Sequence, residues 1–232
     1  MLGGDDYKRL NAMQQAKLQP SELVQKTDRA AMVRRNGAGA AVAAILVGIF
    51  AVEGGYVNDP LDSGGATNNG VTEKVARAAG YRGDMRAFPK HCDGGAAVCA
   101  ASIYTRDYIQ PFMPMLNVEP AIGAELSDTA VNMGVGRSSY FLKVTLNRLG
   151  DFGLPVRGAG ASDADVAAYR ALAERMGPIK ACVAVLDGLD AMQRAKYLAI
   201  VAAKPSQKRF LKGWLNHRIG NVKRSACETG VL

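Results

Sequence analysis

A mainly α-helical fold is predicted by three features of the sequence. Hydrophobic residues make up 48% of the chain, many of them alanine, while aromatic residues make up only 6%. That balance suits closely packed helices better than a sheet of Val, Ile and Tyr. Apolar residues recur at helical spacing in successive segments, which Gly or Pro bring to a stop. No run alternates with a sustained period of two, although the loop over 55–72 has room for a short hairpin.

The elements follow in order. Residues 1–36 are polar and form an N-terminal extension with a docking or anchoring role, helical in places; Ser21 is placed to cap a helix running to Arg35. The stretch 37–52 carries no charge and follows Arg34 and Arg35, a pattern that invites a membrane reading. At sixteen residues it falls short of the roughly 20 that cross a bilayer, so a buried helix is expected, with transient membrane contact as the alternative. After a glycine-rich loop, "TEKVARAAGY" reads as a helix stopped at Gly80, and "GGAAVCAASIYTRDYIQPF" as another ending before Pro111. "EPAIGAELSDTAVNMG" starts near Pro120 and stops at Gly134, and "GRSSYFLKVTLNRLG" stops at Gly150. "DFGLPVRGAGAS" is a linker. The helices "DADVAAYRALAERM", "DGLDAMQRAKYLAIVAA" and the basic "QKRFLKGWLNHRIGNVKR" complete the chain. The domains expected are therefore the extension 1–36, a catalytic domain over 37–150 and a helical C-terminal region over 151–232.

The net charge is +8 and the pI about 9.4, which points to an anionic partner. From Lys204 to Arg224 there are seven Lys and Arg and no acid. Neither aromatic interleaving nor a recognition motif accompanies the charge, so nucleic acid is not the expected partner. "GVGR" at 134–137 follows no strand and is not a nucleotide fingerprint. Cys92, Cys99, Cys182 and Cys227 form no CxxC pair, and only two histidines are present, so no metal site is expected. The even count allows two disulfides, and reduced thiols fit the spacing equally.

The chemistry concentrates in "AVEGGYVNDPLDSGGATNNGVT" over 51–72. Glu53 follows the apolar run, at a helix C-terminus whose partial negative charge favours a protonated carboxyl. Apolar neighbours push the same way. Those are the conditions for a general acid in glycoside hydrolysis. Asp62, nine residues on, is the candidate second carboxylate, with Asp59 its rival; Thr67 and Thr72 carry hydroxyls that can position water.

"EGGYVNDPLDSGGATNNGVT" resembles the signature of glycoside hydrolase family 108, the phage-type N-acetylmuramidases. "YTRDYIQPF" and "DTAVNMGVGR" resemble that family's later motifs in the right order, and "RFLKGWLNHRIGNV" is similar to its predicted peptidoglycan-binding region. The resemblance implies a lysozyme-like, mainly α fold with a short β-hairpin or loop beside the catalytic glutamate. It places that glutamate on Glu53. The spacing to Asp62 resembles the phage lysozyme pattern, in which a threonine follows after five residues; Thr67 follows after four. The implied activity is cleavage of the β-1,4 bond between N-acetylmuramic acid and N-acetylglucosamine in peptidoglycan, with no cofactor. The implied setting is phage-encoded lysis or cell-wall penetration, in the host periplasm or cell wall or on the virion. The alternative is a virion-associated structural or ejection protein that retains the fold and contacts other phage virion proteins. Three departures stand out: the first helix is almost wholly apolar, the extension over 1–36 is additional to the common pattern, and so is the insertion "FPKHCDGGAAVCA". Candidate substrate contacts are Tyr56, Thr72, Asp128 and Asn132, the last two placed four apart on one helix face, where they can also bond to each other. Trp214 is expected to anchor its helix to the core.

Overall fold

Helix α1 (39–51) forms because its Ala, Ile, Val and Leu residues carry an apolar stripe at helical spacing. Ala41, Ile45 and Ile49 lie four apart and are buried, as is Phe50. The computed structural model describes residues 39–51, 54–58, 65–230 and 232. The chain divides at residue 39 into two units, and the architecture below is that of the second, 40–232. The extension 1–36 lies outside the described residues.

A small antiparallel hairpin follows, with β1 (Thr67–Asn68) paired to β2 (Val71–Thr72). Asn69 and Gly70 join them with φ of 51° and 73°, the left-handed pair that a two-residue hairpin turn requires. Val57 adds a bridge, exchanging two backbone hydrogen bonds of 2.8 and 2.7 Å with Thr67. Thr72 ends β2 and caps α2 (Glu73–Ala78), accepting from the Val75 amide.

The insertion 88–99 leads into α3 (Ala100–Tyr104), which widens into a π-turn over Thr105–Ile109 and a 3₁₀ turn at Gln110–Phe112. The helix expected from residue 94 starts later, because Cys99 is its N-cap and is tied to Cys92 by a disulfide. Then come α4 (Met113–Leu116), α5 (Pro120–Met133) and α6 (Val135–Gly150). After them run α7 (Asp163–Met176), α8 (Pro178–Ala203), α9 (Lys208–Arg218) and α10 (Ala226–Thr229).

Helix α5 is central. Residues 121–127 are buried without a break, and a Cβ on Gly123 would sit 2.5 Å from the Leu116 Cα. On one side lies a core of α5, α6, α7 and α8, built on Leu126, Leu142, Leu146, Leu172, Val185 and Leu186. On the other, Ala124 joins the core formed with α1, the hairpin, α2 and α3. The seam expected at 150–151 therefore runs through shared packing: Phe141 and Leu146 on one side of it meet Val166 and Leu186 on the other. A buried ion pair reinforces it, Lys143 Nζ to Asp165 Oδ2 at 2.5 Å, with Asp165 also closing the capping box of Ser162.

Two helices differ from expectation. Helix α8 begins at Pro178, nine residues ahead of the predicted Asp187, because Gly188 does not interrupt it. A Cβ there would lie 2.4 Å from Thr145 Cγ2, so the glycine is where α6 and α8 approach closely. The basic helix ends at Arg218 rather than Arg224, since Ile219 is extended and Gly220 takes φ of 70°. Residues 219–225 instead run as a strap against α5 and α8, and the Cys182–Cys227 disulfide ties it down just beyond them. Among the described residues the architecture is mainly α with one hairpin, as expected.

Candidate active site

The end of α1 is held by aromatic packing. Phe50, three residues before Glu53 in the sequence, makes edge contacts with Tyr104 at 5.7 Å and His91 at 5.5 Å between ring centroids. Lys90 Nζ lies 4.6 Å above the Phe50 ring. Tyr104 is buried, packs on Tyr108 at 5.8 Å and donates to the Asn69 carbonyl at 3.4 Å, joining α3 to the hairpin turn. The end of α1, the hairpin and α3 thus converge on one aromatic cluster. Lys90 and His91 come from the insertion that the Cys92–Cys99 bridge closes. Sequence reasoning did not assign them to the site; their place between the hairpin and a cysteine-bearing loop was the available signal.

Glu53, Asp59 and Asp62 lie outside the described residues. The other candidates fall into two groups. Tyr56, Thr67 and Thr72 belong to the hairpin region. Tyr56 is exposed, with the Arg86 guanidinium 5.7 Å from its ring centre. Thr67 and Thr72 are cross-strand partners, and Thr72 already serves as the cap of α2. The hairpin is pinned from beneath by Asn68, which donates to the Met85 carbonyl at 2.7 Å, and by Asn69, which donates to the Phe88 carbonyl at 3.1 Å.

Asp128 and Asn132 sit on α5. Asn132 Nδ2 donates to the Asp128 carbonyl at 2.9 Å and to its carboxylate at 3.4 Å, the helix-internal pairing their spacing allows. Asp128 also takes a 2.8 Å ion pair from Arg218 in the last turn of α9. Burial pushes its carboxyl above the ordinary range, while Arg218 and Asn221 oppose that shift. It lines a cavity of about 590 Å³ between α1, α5 and the C-terminal strap, together with Ala44, Gly48 and His217.

Beneath this lies an ionic network that was not foreseen. Glu125 is fully buried and accepts from the Gln193 amide of α8. Its carboxyl is pushed up to about 8, first by burial and then by the nearby Asp190 and Asp128. Asp190 receives the Gly220 amide at 3.1 Å and Arg224 at 2.6 Å. Acids at 125 and 128 on α5 and at 187 and 190 on α8, each pair three apart, were the sequence signal for a shared face.

Residues 46–134 match the family model described as Glycosyl hydrolase 108. The matched segment includes Glu53, the hairpin, α3 and the whole of α5, and it supports glycoside hydrolase chemistry there. Among solved structures, the chain is similar to "Structure of Brucella abortus SagA". The TM-score is 0.53 with 22% identity, over 81% of this chain and 94% of that one. That likeness establishes the fold, a mainly helical, lysozyme-like arrangement with a small hairpin. No curated protein matches the sequence.

Proposed function

We propose that the protein is a peptidoglycan hydrolase that cleaves the β-1,4 bond between N-acetylmuramic acid and N-acetylglucosamine. The observation that carries this reading is the family match over 46–134, which takes in the Glu-Gly-Gly-Tyr motif. Glu53 protonates the glycosidic oxygen as the bond breaks. Asp62 stabilises the developing positive charge on the sugar or activates water on the opposite face. Thr67 assists in positioning that water, and Tyr56 offers an exposed ring to a sugar face. Phe50, three residues before Glu53 in the sequence, packs in an aromatic cluster, and apolar surroundings favour a neutral carboxyl.

The two disulfides fit a compartment that keeps thiols oxidised, such as the periplasm or the cell exterior. A phage-encoded enzyme acting at the host wall, during lysis or entry, is the setting we favour. Digestion of purified peptidoglycan with mass analysis of the fragments tests the reaction: reducing N-acetylmuramic acid ends are expected, and anhydro ends would assign a lytic transglycosylase instead. Glu53→Gln should fold with an unchanged melting temperature and lose at least 100-fold in lytic rate, the scale expected for a general acid. Lysis at the wild-type rate by that variant overturns the assignment.

A further inference from the structure

The outer face of α1 is apolar where water meets it. Ala40, Ala43, Gly48 and Ala51 are exposed, and Val47 is 70% exposed. A helix that buries one face gains nothing from apolar residues on the other, and charged side chains are the usual occupants. Among the described residues no helix is long and apolar enough to cross a membrane. An interfacial role suits such a face.

What adjoins that face indicates its partner. Ala44, Val47 and Gly48 form one wall of the 590 Å³ cavity, and His217, Arg218 and Lys223 stand across from them. Arg218 is engaged by Asp128 at 2.8 Å, and no ion pair involves Lys223 among the described residues. The cationic surface continues into α9, where Lys208, Arg209 and Lys212 accompany Phe210, itself 43% exposed. From Lys204 to Arg224 the sequence carries no acid, and in the fold Asp128 pairs with Arg218 while Asp187 and Asp190 pair with Arg224, which leaves Lys223 as the cation of the strap outside these pairs. An apolar wall on α1 facing a strap that carries Lys223, with the cations of α9 preceding it in the chain, matches an anionic amphiphile, with its hydrocarbon against α1 and its phosphate at Lys223.

We propose that the α1 face and this cavity dock the protein on an anionic phospholipid surface, one acyl chain entering between α1 and the C-terminal strap and the headgroup phosphate meeting Lys223. The protein then lies on the bilayer without crossing it. This inference does not depend on the hydrolase reading, and its readout involves no hydrolysis.

The test is co-sedimentation of the full-length protein with vesicles of phosphatidylglycerol and phosphatidylcholine, against phosphatidylcholine alone. Binding to the first and not the second is expected, weakening as salt is raised. Val47→Asp places a charge on the exposed face. Gly48→Leu narrows the cavity from the α1 side, where a Cβ at Gly48 meets nothing within 4 Å. Each should lower vesicle partitioning at least tenfold with the melting temperature unchanged, and Lys223→Glu should lower it with the largest loss at low salt. Failure of the wild type to bind anionic vesicles overturns the proposal, as when residues 1–38 of the chain cover this face. Binding that Val47→Asp and Gly48→Leu leave intact, but heparin displaces, overturns it in favour of a polyanion on α9. Concentration-dependent dimerisation without lipid, abolished by Val47→Asp, overturns it in favour of a second copy.

Discussion

Glu125 is a carboxyl with no room for a charge. It is fully buried, meets Gln193, and has Asp190 and Asp128 nearby, so its proton is held up to about pH 8. In the unfolded chain the same group releases its proton near 4.5. Between those values the folded state binds more protons than the unfolded one, so stability falls as pH rises through that window. Glu125→Gln removes the titration while keeping the shape. Its unfolding free energy from denaturant titration should exceed that of the wild type at pH 8 by an amount on the order of a few kcal/mol, with the gap closing toward pH 4.5. Parallel pH profiles for the two proteins would refute this account. The candidate site shows the same limit at single residues. Glu53 could be singled out because one residue and its immediate neighbours carry the argument. The Asp128–Arg218 pair could not, since its partners are ninety positions apart.

At the level of elements, local chemistry placed most helices. Pro120 and Gly134 bound α5 where sequence rules put them, and Ser162 caps α7 with Asp165 in reply. The loop over 55–72 was expected to have room for a short hairpin, and the structure forms one there with Asn69-Gly70 as its turn. The start of α8 was missed because Gly188 reads as a breaker in one dimension and as a contact point in three. Gly188→Ala tests that explanation directly. An alanine is the better helix former by about 1 kcal/mol, so a propensity account predicts stabilisation. The 2.4 Å approach to Thr145 predicts the opposite, a net loss of about 1–3 kcal/mol by chemical denaturation. A more stable variant would mean that α6 and α8 have slack at their crossing.

For the whole molecule, the C-terminal strap is what joins distant parts of the chain. Arg218 reaches Asp128 on α5, Arg224 reaches Asp187 and Asp190 on α8, and Cys227 is bonded to Cys182. The bridge closes a loop of 45 residues, for which chain entropy suggests about 4 kcal/mol. Replacing both Cys182 and Cys227 by serine should therefore lower stability by about 2–4 kcal/mol and raise amide exchange in 219–230 ahead of α5. Uniform exchange across both regions would show that the strap is not an independent closure. The Cys92–Cys99 pair closes only seven positions, and its effect should stay within the insertion that carries Lys90 and His91.

What the sequence determined by itself was the helical class, most element boundaries and the motif that carries Glu53, because propensity, capping and turn chemistry act over a few residues. Tertiary structure decided how both disulfides pair, which acids share the buried face of α5 and α8, and which side of α1 meets solvent. Each of those depends on groups brought together across tens of residues, where one-dimensional spacing carries no distance. The apolar lead-in to Glu53 shows the division clearly. Its composition was plain in the sequence, and only the fold showed that Ala43, Val47, Gly48 and Ala51 face outward beside the strap that carries Lys223.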